Sequence, residues 1–250
     1  MAIENEQYEE RVIVFIDILG FREHINLSVK EPDYFIKLRD VLNYISSYQK
    51  KNYGDGFRAQ KDIGKEVTVF SDSVVISYPV ELPGSVYYLL MDIIYLQLDM
   101  LQAGILFRGG VTVGKLCHDD NIVYGPAMNE AYELESKVAV YPRVIVSEKV
   151  IKKGIENPLN PPKQELEYIA SLLKQDFDEQ YYIDFMSQWQ EVDDVLYFDA
   201  LSKIKIVIEK AIEDTKSVPN VKAKYQWLKR YYNSVLDTLD EKYTKNRYID

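Results

Sequence analysis

The chain is short of cysteine, of histidine, of basic residues and of unbroken apolar runs, and each shortage excludes something. A lone Cys117 forms no internal disulfide, so nothing implies an oxidising compartment. The most apolar segment, Val86 to Leu101, is broken by Asp92, Gln97 and Asp99, too short and too polar a run to span a bilayer. The 30 Lys and Arg against 40 Asp and Glu leave a net charge of −10. With no basic block, that balance argues against a nucleic-acid groove, which needs clustered cations to neutralise phosphates. It leaves room for a single nucleotide, whose charge a metal ion neutralises locally. The N-terminal MAIENEQYEER is acidic where a secretory signal needs a basic start and an apolar run, so a cytoplasmic protein is expected.

What is present is an ordinary globular composition, 47% apolar, with 21 tyrosines that imply many half-buried positions. At 250 residues the chain can bury a core without staples. Val12 to Ile16 form a β-branched and aromatic run, as in a central strand covered on both faces. Phe35, Leu38, Leu42 and Ile45 recur at helical spacing between Pro32 and Lys50, with a stop near Gly54-Asp55-Gly56. KEVTVFSDSVVISYPV, from Lys65 to Val80, reads as two strands joined at Ser71-Asp72-Ser73.

Pro83 and Gly84 open a second helix with Tyr87, Met91, Ile94, Leu98 and Leu101 along one seam and Gly104 as its stop. Ile105 to Lys115 and Ile122 to Gly125 read as strands around a CHDDN hairpin loop, followed by a helix from Pro126 and a strand from Arg143 to Ser147. Cys117-His118-Asp119-Asp120 carries metal-ligand residue types. Adjacent residues in a loop converge poorly on one ion, however, and no second cluster completes a zinc site.

The expected order, β-α-β-β-α-β-β-α-β, is an α/β or α+β sandwich with helices on a mixed sheet. After a Pro- and Asn-rich break, ENPLNPPK, one late strand is expected at Tyr181 to Phe185. Two amphipathic helices, Asp199 to Lys216 and Asn220 to Tyr243, follow and are split at Val218-Pro219. Residues 1–150 are read as one core, and 151–250 as the rest of its sheet with a C-terminal helical extension. Tyr225, Trp227, Tyr231 and Tyr232 read as a packing face, because a stacking platform for nucleic acid needs basic residues beside it.

Two acids, Asp17 and Asp72, end strands that the pattern sets side by side. Carboxylates converging on one edge repel unless a divalent cation lies between them, and hard oxygen ligands suit magnesium or manganese. The backbone of Leu19, Gly20 and Phe21, turning into a helix, offers N–H groups to a phosphate chain.

FIDILGF (Phe15 to Phe21), FSDS (Phe70 to Ser73), RGGVTVG (Arg108 to Gly114) and YGPAMNEAYELES (Tyr124 to Ser136) followed by RVIVS resemble, in order, the motifs of class III nucleotidyl cyclases. Four ordered motifs are far more specific than any one. The resemblance covers about residues 10 to 147 and implies a ferredoxin-like core. It implies that Asp17, the carbonyl of Ile18 and Asp72 hold two Mn²⁺ or Mg²⁺ ions, that Asn129 orients the ribose, and that sites form between the subunits of a homodimer. The α-phosphorus is then attacked in line by the ribose 3′-hydroxyl, with pyrophosphate leaving.

Two positions depart from the family. Glu133 stands where an Arg stabilising phosphate charge is usual, and Thr68 stands where purine cyclases often carry a base-reading Lys. Arg108 and Arg143, with Arg22 and Lys115 behind them, are the candidates to replace the missing cation. The pattern resembles the pyrimidine cyclases of bacterial Pycsar anti-phage systems, which implies UTP, or less readily CTP, as substrate and a separate effector protein activated by the cyclic product. A degenerate, nucleotide-sensing cyclase domain and an ordinary adenylate or guanylate cyclase are the alternatives. His24, one turn beyond the phosphate turn, reads as a helix-surface residue.

Overall fold

The computed structural model describes residues 7–50, 63–119, 122–191 and 194–250. Strand β1 (Glu9–Ile18) lies between β3 (Ser73–Pro79) and β4 (Phe107–Asp119), antiparallel to both. That placement buries Val12, Ile13, Val14 and Ile16 completely, as their unbroken apolar run requires. Helices α1 (Phe21–Lys30) and α2 (Pro32–Lys50) precede β2 (Glu66–Phe70), which among the described residues pairs only with β3. Leu38, Val41 and Ile45 are the buried stripe of α2; Phe35, expected in that stripe, is 54% exposed. The expected stop at Gly54-Asp55-Gly56 lies outside the described residues.

Helix α3 (Ser85–Gln102) returns to β4 and is buried on nearly all sides, with Val86, Leu89, Leu90, Ile93 and Leu96 inside. Of the expected seam, Ile94, Leu98 and Leu101 are buried, while Tyr87 and Met91 lie half-buried at its edge. These elements form β-α-β-β-α-β with strand order β2-β3-β1-β4, all antiparallel, which is the ferredoxin-like arrangement.

From β5 (Ile122–Tyr124) the chain enters α4 (Pro126–Glu133), which passes into a π-helical turn, Leu134–Val138. Strand β6 (Val144–Val146) pairs parallel with β4. After α5 (Glu148–Glu156) and α6 (Pro162–Ser171), β7 (Leu173–Gln175) and β8 (Tyr181–Ile183) extend the same sheet in the order β6-β8-β7. Helices α7 (Asp194–Asp214) and α8 (Pro219–Leu236) pack on each other across the break at Val218, and a short α9 (Glu241–Thr244) follows. Trp227, Leu228, Tyr231 and Tyr232 are the buried face of α8. No helix among the described residues is long and apolar enough to cross a membrane.

The two faces of the sheet differ. Val12, Val14, Ile16 and Ile18 point into the main core with α3, α7 and α8. The alternate residues Ile13 and Phe15, with Val75 and Leu116, meet Ala127 and Ala131 of α4 in a small second cluster, with Val123 and Met128 packed against it and the Tyr132 ring edge-on to Phe15. By strand alternation Asp17, Ser73 and Arg108 belong to this second face.

Cys117, His118 and Asp119 are strand residues and not the expected loop, paired with Tyr124, Val123 and Ile122. Asp120 and Asn121 lie outside the described residues. The hairpin of β4 and β5 folds back over the second face, since His118 reaches Thr68 on β2 and Ser77 on β3 although β1 separates β4 from both in the sheet.

Candidate active site

Asp17, the second-last residue of β1, stands opposite Ser73 on one side and Arg108 on the other. Phe70 pairs with Ser73, so the β2–β3 hairpin turns through Ser71 and Asp72 alone. Two-residue hairpins favour residues tolerant of positive φ, usually glycine; here Ser71 adopts φ 52°. That backbone stores strain of order 1 kcal/mol at a position whose effect is to aim Asp72. The turn is tied to β1 by the amide of Ile18, which donates to the Asp72 carbonyl at 3.0 Å. The Ser73 hydroxyl donates to Asp17 Oδ1 at 3.2 Å. Asp17 and Asp72 are thus brought together from residues 55 positions apart, as their strand-end placement predicts. Burial, and then the Asp72 charge, raise the pKa of Asp17 above the ordinary carboxylate range.

A third acid, Glu135, was not foreseen. It is 2% exposed, and burial raises its pKa; Arg108 opposes the rise, and Asp17 and Asp72 add to it. Arg108 lies between the acids, with Nε 2.5 Å from Glu135 Oε1 and a terminal nitrogen 3.8 Å from Asp17 Oδ2. The Arg108–Glu135 contact is an ion pair without the alignment of a directed hydrogen bond, so charge alone joins the two atoms.

Glu135 is delivered by the π-helical turn, which packs against β4 at Gly110. A Cβ on Gly110 would stand 2.4 Å from the Leu134 Cβ and 2.6 Å from the Ala131 carbonyl oxygen, so no side chain fits there. Single π turns inside helices often mark functional sites, but no periodicity in ELESKV announces one.

Of the expected phosphate-turn amides, Leu19 is not free: its N–H donates to the Leu106 carbonyl at 2.8 Å. Gly20 (φ 78°) and Phe21 remain at the start of α1, where the first amides have no intrahelical acceptor. His24 is held under this turn, with Nδ1 2.6 Å from the Tyr34 hydroxyl and a hydrogen bond to the backbone of Leu19. Burial, partly opposed by that bond, lowers its pKa.

The remaining candidates lie elsewhere. Thr68 is buried on β2, its hydroxyl 2.9 Å from His118 Nε2. His118 Nδ1 is 2.8 Å from the Ser77 hydroxyl, which also accepts from Arg11 Nε at 2.8 Å. Burial first, and Arg11 second, push the His118 pKa from 6.5 down to about 3. Asn129 is exposed on α4, and no hydrogen bond among the described residues joins it to Asp17, Asp72 or Arg108.

Arg143, expected as a possible transition-state cation, is completely buried. Its guanidinium is paired with Asp176 and Asp178, in the connection between β7 and β8, and is not presented to Asp17. Arg22 and Lys115 are exposed, and Glu133 pairs with Lys137 on the outer side of α4. Of the proposed replacements for the missing cation, Arg108 is the one the fold brings to the acids.

Among the described residues no three His, Cys, Asp or Glu side chains form a metal-holding group. The donor set at Asp17 and Asp72 nevertheless suits a hard divalent cation. Burial and then the Asp72 charge raise the pKa of Asp17, and the Ser73 hydroxyl first, then the Arg108 guanidinium 3.8 Å away, offset that rise only in part.

No family model and no curated protein matches the sequence. Solved structures do. The monomeric guanylyl cyclase domain of the RhoGC fusion protein from the aquatic fungus Blastocladiella emersonii is 17% identical, with a TM-score of 0.46 over 71% of this chain and 96% of that one. The catalytic core of a rhodopsin-guanylyl cyclase with converted specificity, in complex with ATPalphaS, is 15% identical, with a TM-score of 0.43 over 71% and 97%. A bacterial light-regulated adenylyl cyclase is 24% identical, with a TM-score of 0.38; the match spans 60% of this chain and under half, 46%, of that one. Identities and scores this low leave a functional reading to rest on the side chains themselves.

Proposed function

We propose that the protein is a nucleotidyl cyclase that converts a pyrimidine nucleoside triphosphate, UTP in preference to CTP, to its 3′,5′-cyclic monophosphate, acting in anti-phage signalling through a separate effector. The observation that carries this reading is the meeting of Asp17 and Asp72 at the paired ends of β1 and β3, beside Arg108.

Asp17, the Ile18 carbonyl and Asp72 would hold two Mn²⁺ or Mg²⁺ ions, which supply Lewis acidity at the α-phosphate and at the leaving pyrophosphate. The Ser73 hydroxyl orients Asp17, and Glu135 holds Arg108 where it faces the phosphates. Amides at Gly20 and Phe21 receive phosphate oxygens at the start of α1. Asn129, exposed on α4, would reach the ribose of a nucleotide held by a second copy of the chain, so the working unit is a homodimer with two sites. Thr68, bonded to His118, supports a base pocket unlike one built around a lysine.

The reading as a catalytically silent nucleotide sensor draws on one observation: neither Glu133 nor Arg143 offers a cation to the phosphates. Incubation of the purified chain with Mn²⁺ and each of the four ribonucleoside triphosphates, with products resolved by chromatography and mass, separates the readings. Cyclic UMP or cyclic CMP is the expected product. A purine product assigns an adenylate or guanylate cyclase, and nucleotide binding without any product assigns the sensor.

A further inference from the structure

Tyr87, Met91, Ile94 and Leu98 run along α3 at i, i+4, i+7 and i+11, the spacing of a face that packs against another element. The face is closed at one end only. Ile94 and Leu98 are buried, Tyr87 and Met91 are half-buried, and Tyr95 beside them is 53% exposed. What meets it is Tyr168 and the end of α6 on one side and a 3₁₀ turn, Met186–Glu191, on the other, and between them they leave a cavity of about 160 Å³. Its mouth is aromatic, with the rings of Tyr87 and Tyr168 6.4 Å apart between centroids. An apolar space of about 150 Å³ accepts a benzene ring, so this one has room for a single ring and little more.

The polar groups here want a donor. Asp99 lines the cavity half-buried; the Tyr44 hydroxyl donates to its Oδ2, and among the described residues no cation pairs with it. It also stands in the last turn of α3, where the unpaired carbonyls are partially negative and the helix places no basic residue to offset them. Gln188 has committed both amide hydrogens, Nε2 donating to the Ser171 carbonyl at 2.9 Å and to the Asp184 carbonyl at 3.2 Å, so its oxygen alone remains for a ligand. The Ser171 hydroxyl is likewise spent, donating to the Tyr168 carbonyl at 2.7 Å.

We infer that this cavity binds a small organic cation, a primary ammonium carried on one aromatic ring. The ring seats against Met91, Ile94 and Leu98, and the ammonium meets Asp99 at the tyrosine rim. The site lies on α3, which packs on the main-core face of the sheet, whereas Asp17 belongs to the second face, so the inference does not rest on the nucleotide reading.

The probe is benzylamine, with benzyl alcohol as an uncharged counterpart of nearly the same shape, titrated into the full chain isotope-labelled at the methionine methyls and followed by NMR. The Met91 methyl is expected to shift with both ligands while that of Met128, on α4, stays in place. Benzylamine is expected to bind at about 1 mM, the range for so small a ligand, and benzyl alcohol about tenfold more weakly. Asp99→Asn keeps an acceptor for Tyr44 and is expected to bring benzylamine down to the affinity of benzyl alcohol, leaving benzyl alcohol unchanged. Glu133→Gln, an equal change of charge on α4, is expected to bind both ligands as wild type does. Equal affinity of the two ligands for the wild-type chain, or undiminished benzylamine binding in Asp99→Asn, overturns the assignment of a cation; the first comparison decides it even where the variant fails to fold. A Met91 methyl that neither ligand moves overturns the site itself.

Discussion

Two polar clusters share the second face of the sheet and are built on opposite terms. In the first, Asp17, Asp72 and Glu135 gather round one guanidinium, so negative charge is in surplus and one acid is buried. In the second, Arg11, Ser77, His118 and Thr68 form a hydrogen-bonded chain in which both nitrogens of a neutral imidazole have partners. The second arrangement satisfies its groups and lowers the folded state's energy. The first leaves a surplus of negative charge, which a bound cation would relieve.

The comparison is tested most severely at Asp72. Asp72→Ala is expected to lower Mn²⁺-dependent turnover about 10³-fold, from the several kcal/mol of charge stabilisation that a bound metal supplies. In chelator the same variant should melt higher than wild type, since it relieves Asp17. Lower activity accompanied by a lower melting temperature would make Asp72 a structural residue and dissolve the contrast.

His118→Ala should do the reverse. Leaving two buried hydroxyls without their shared partner and opening a void is expected to cost about 2–4 kcal/mol in urea denaturation. An unchanged midpoint would show that the chain of bonds contributes nothing.

The clusters also differ in their response to pH. The unfolded chain protonates His118 below about 6.5, whereas the folded chain does so only near 3. The stability due to this group is therefore full above pH 6.5 and lost as pH falls toward 3, by at most about 1.4 kcal/mol per pH unit. Asp17 has the opposite sign, because its folded pKa lies above the unfolded 3.8 and its penalty at neutral pH is relieved as pH falls. His118→Gln should flatten the acid limb of the stability curve and Asp17→Asn should steepen it, as read by denaturation across pH 4–7 in chelator. The smallest effect is expected at Glu133, whose exposed pair with Lys137 contributes about 0.5 kcal/mol or less, so Glu133→Ala should melt within a degree or so of wild type.

Sequence reasoning found the parts of this face that are written locally. An apolar run ending in Asp17 and a polar tripeptide around Asp72 each declare a strand end, and their pairing follows from antiparallel geometry. It did not find Glu135, because nothing in ELESKV marks a π turn. Nor did it find the role of His118, because CHDDN reads as a loop while its strand continues and folds across the sheet. Arg143 was misplaced because its partners, Asp176 and Asp178, lie more than 30 residues away in a connection whose strands are only three residues long. Long-range charge pairing leaves no trace in a local pattern.

The fold-back of the β4–β5 hairpin also couples distant groups mechanically. Beyond the three residues of β5, the single Gly125 is all that separates the strand from α4. The clasp that His118 makes on Thr68 and Ser77 therefore tethers more than the hairpin: slack there is handed along one short leash to the helix that carries Asn129. An injury at the imidazole would surface as a misplaced amide on the far side of α4, in a residue that never touches it.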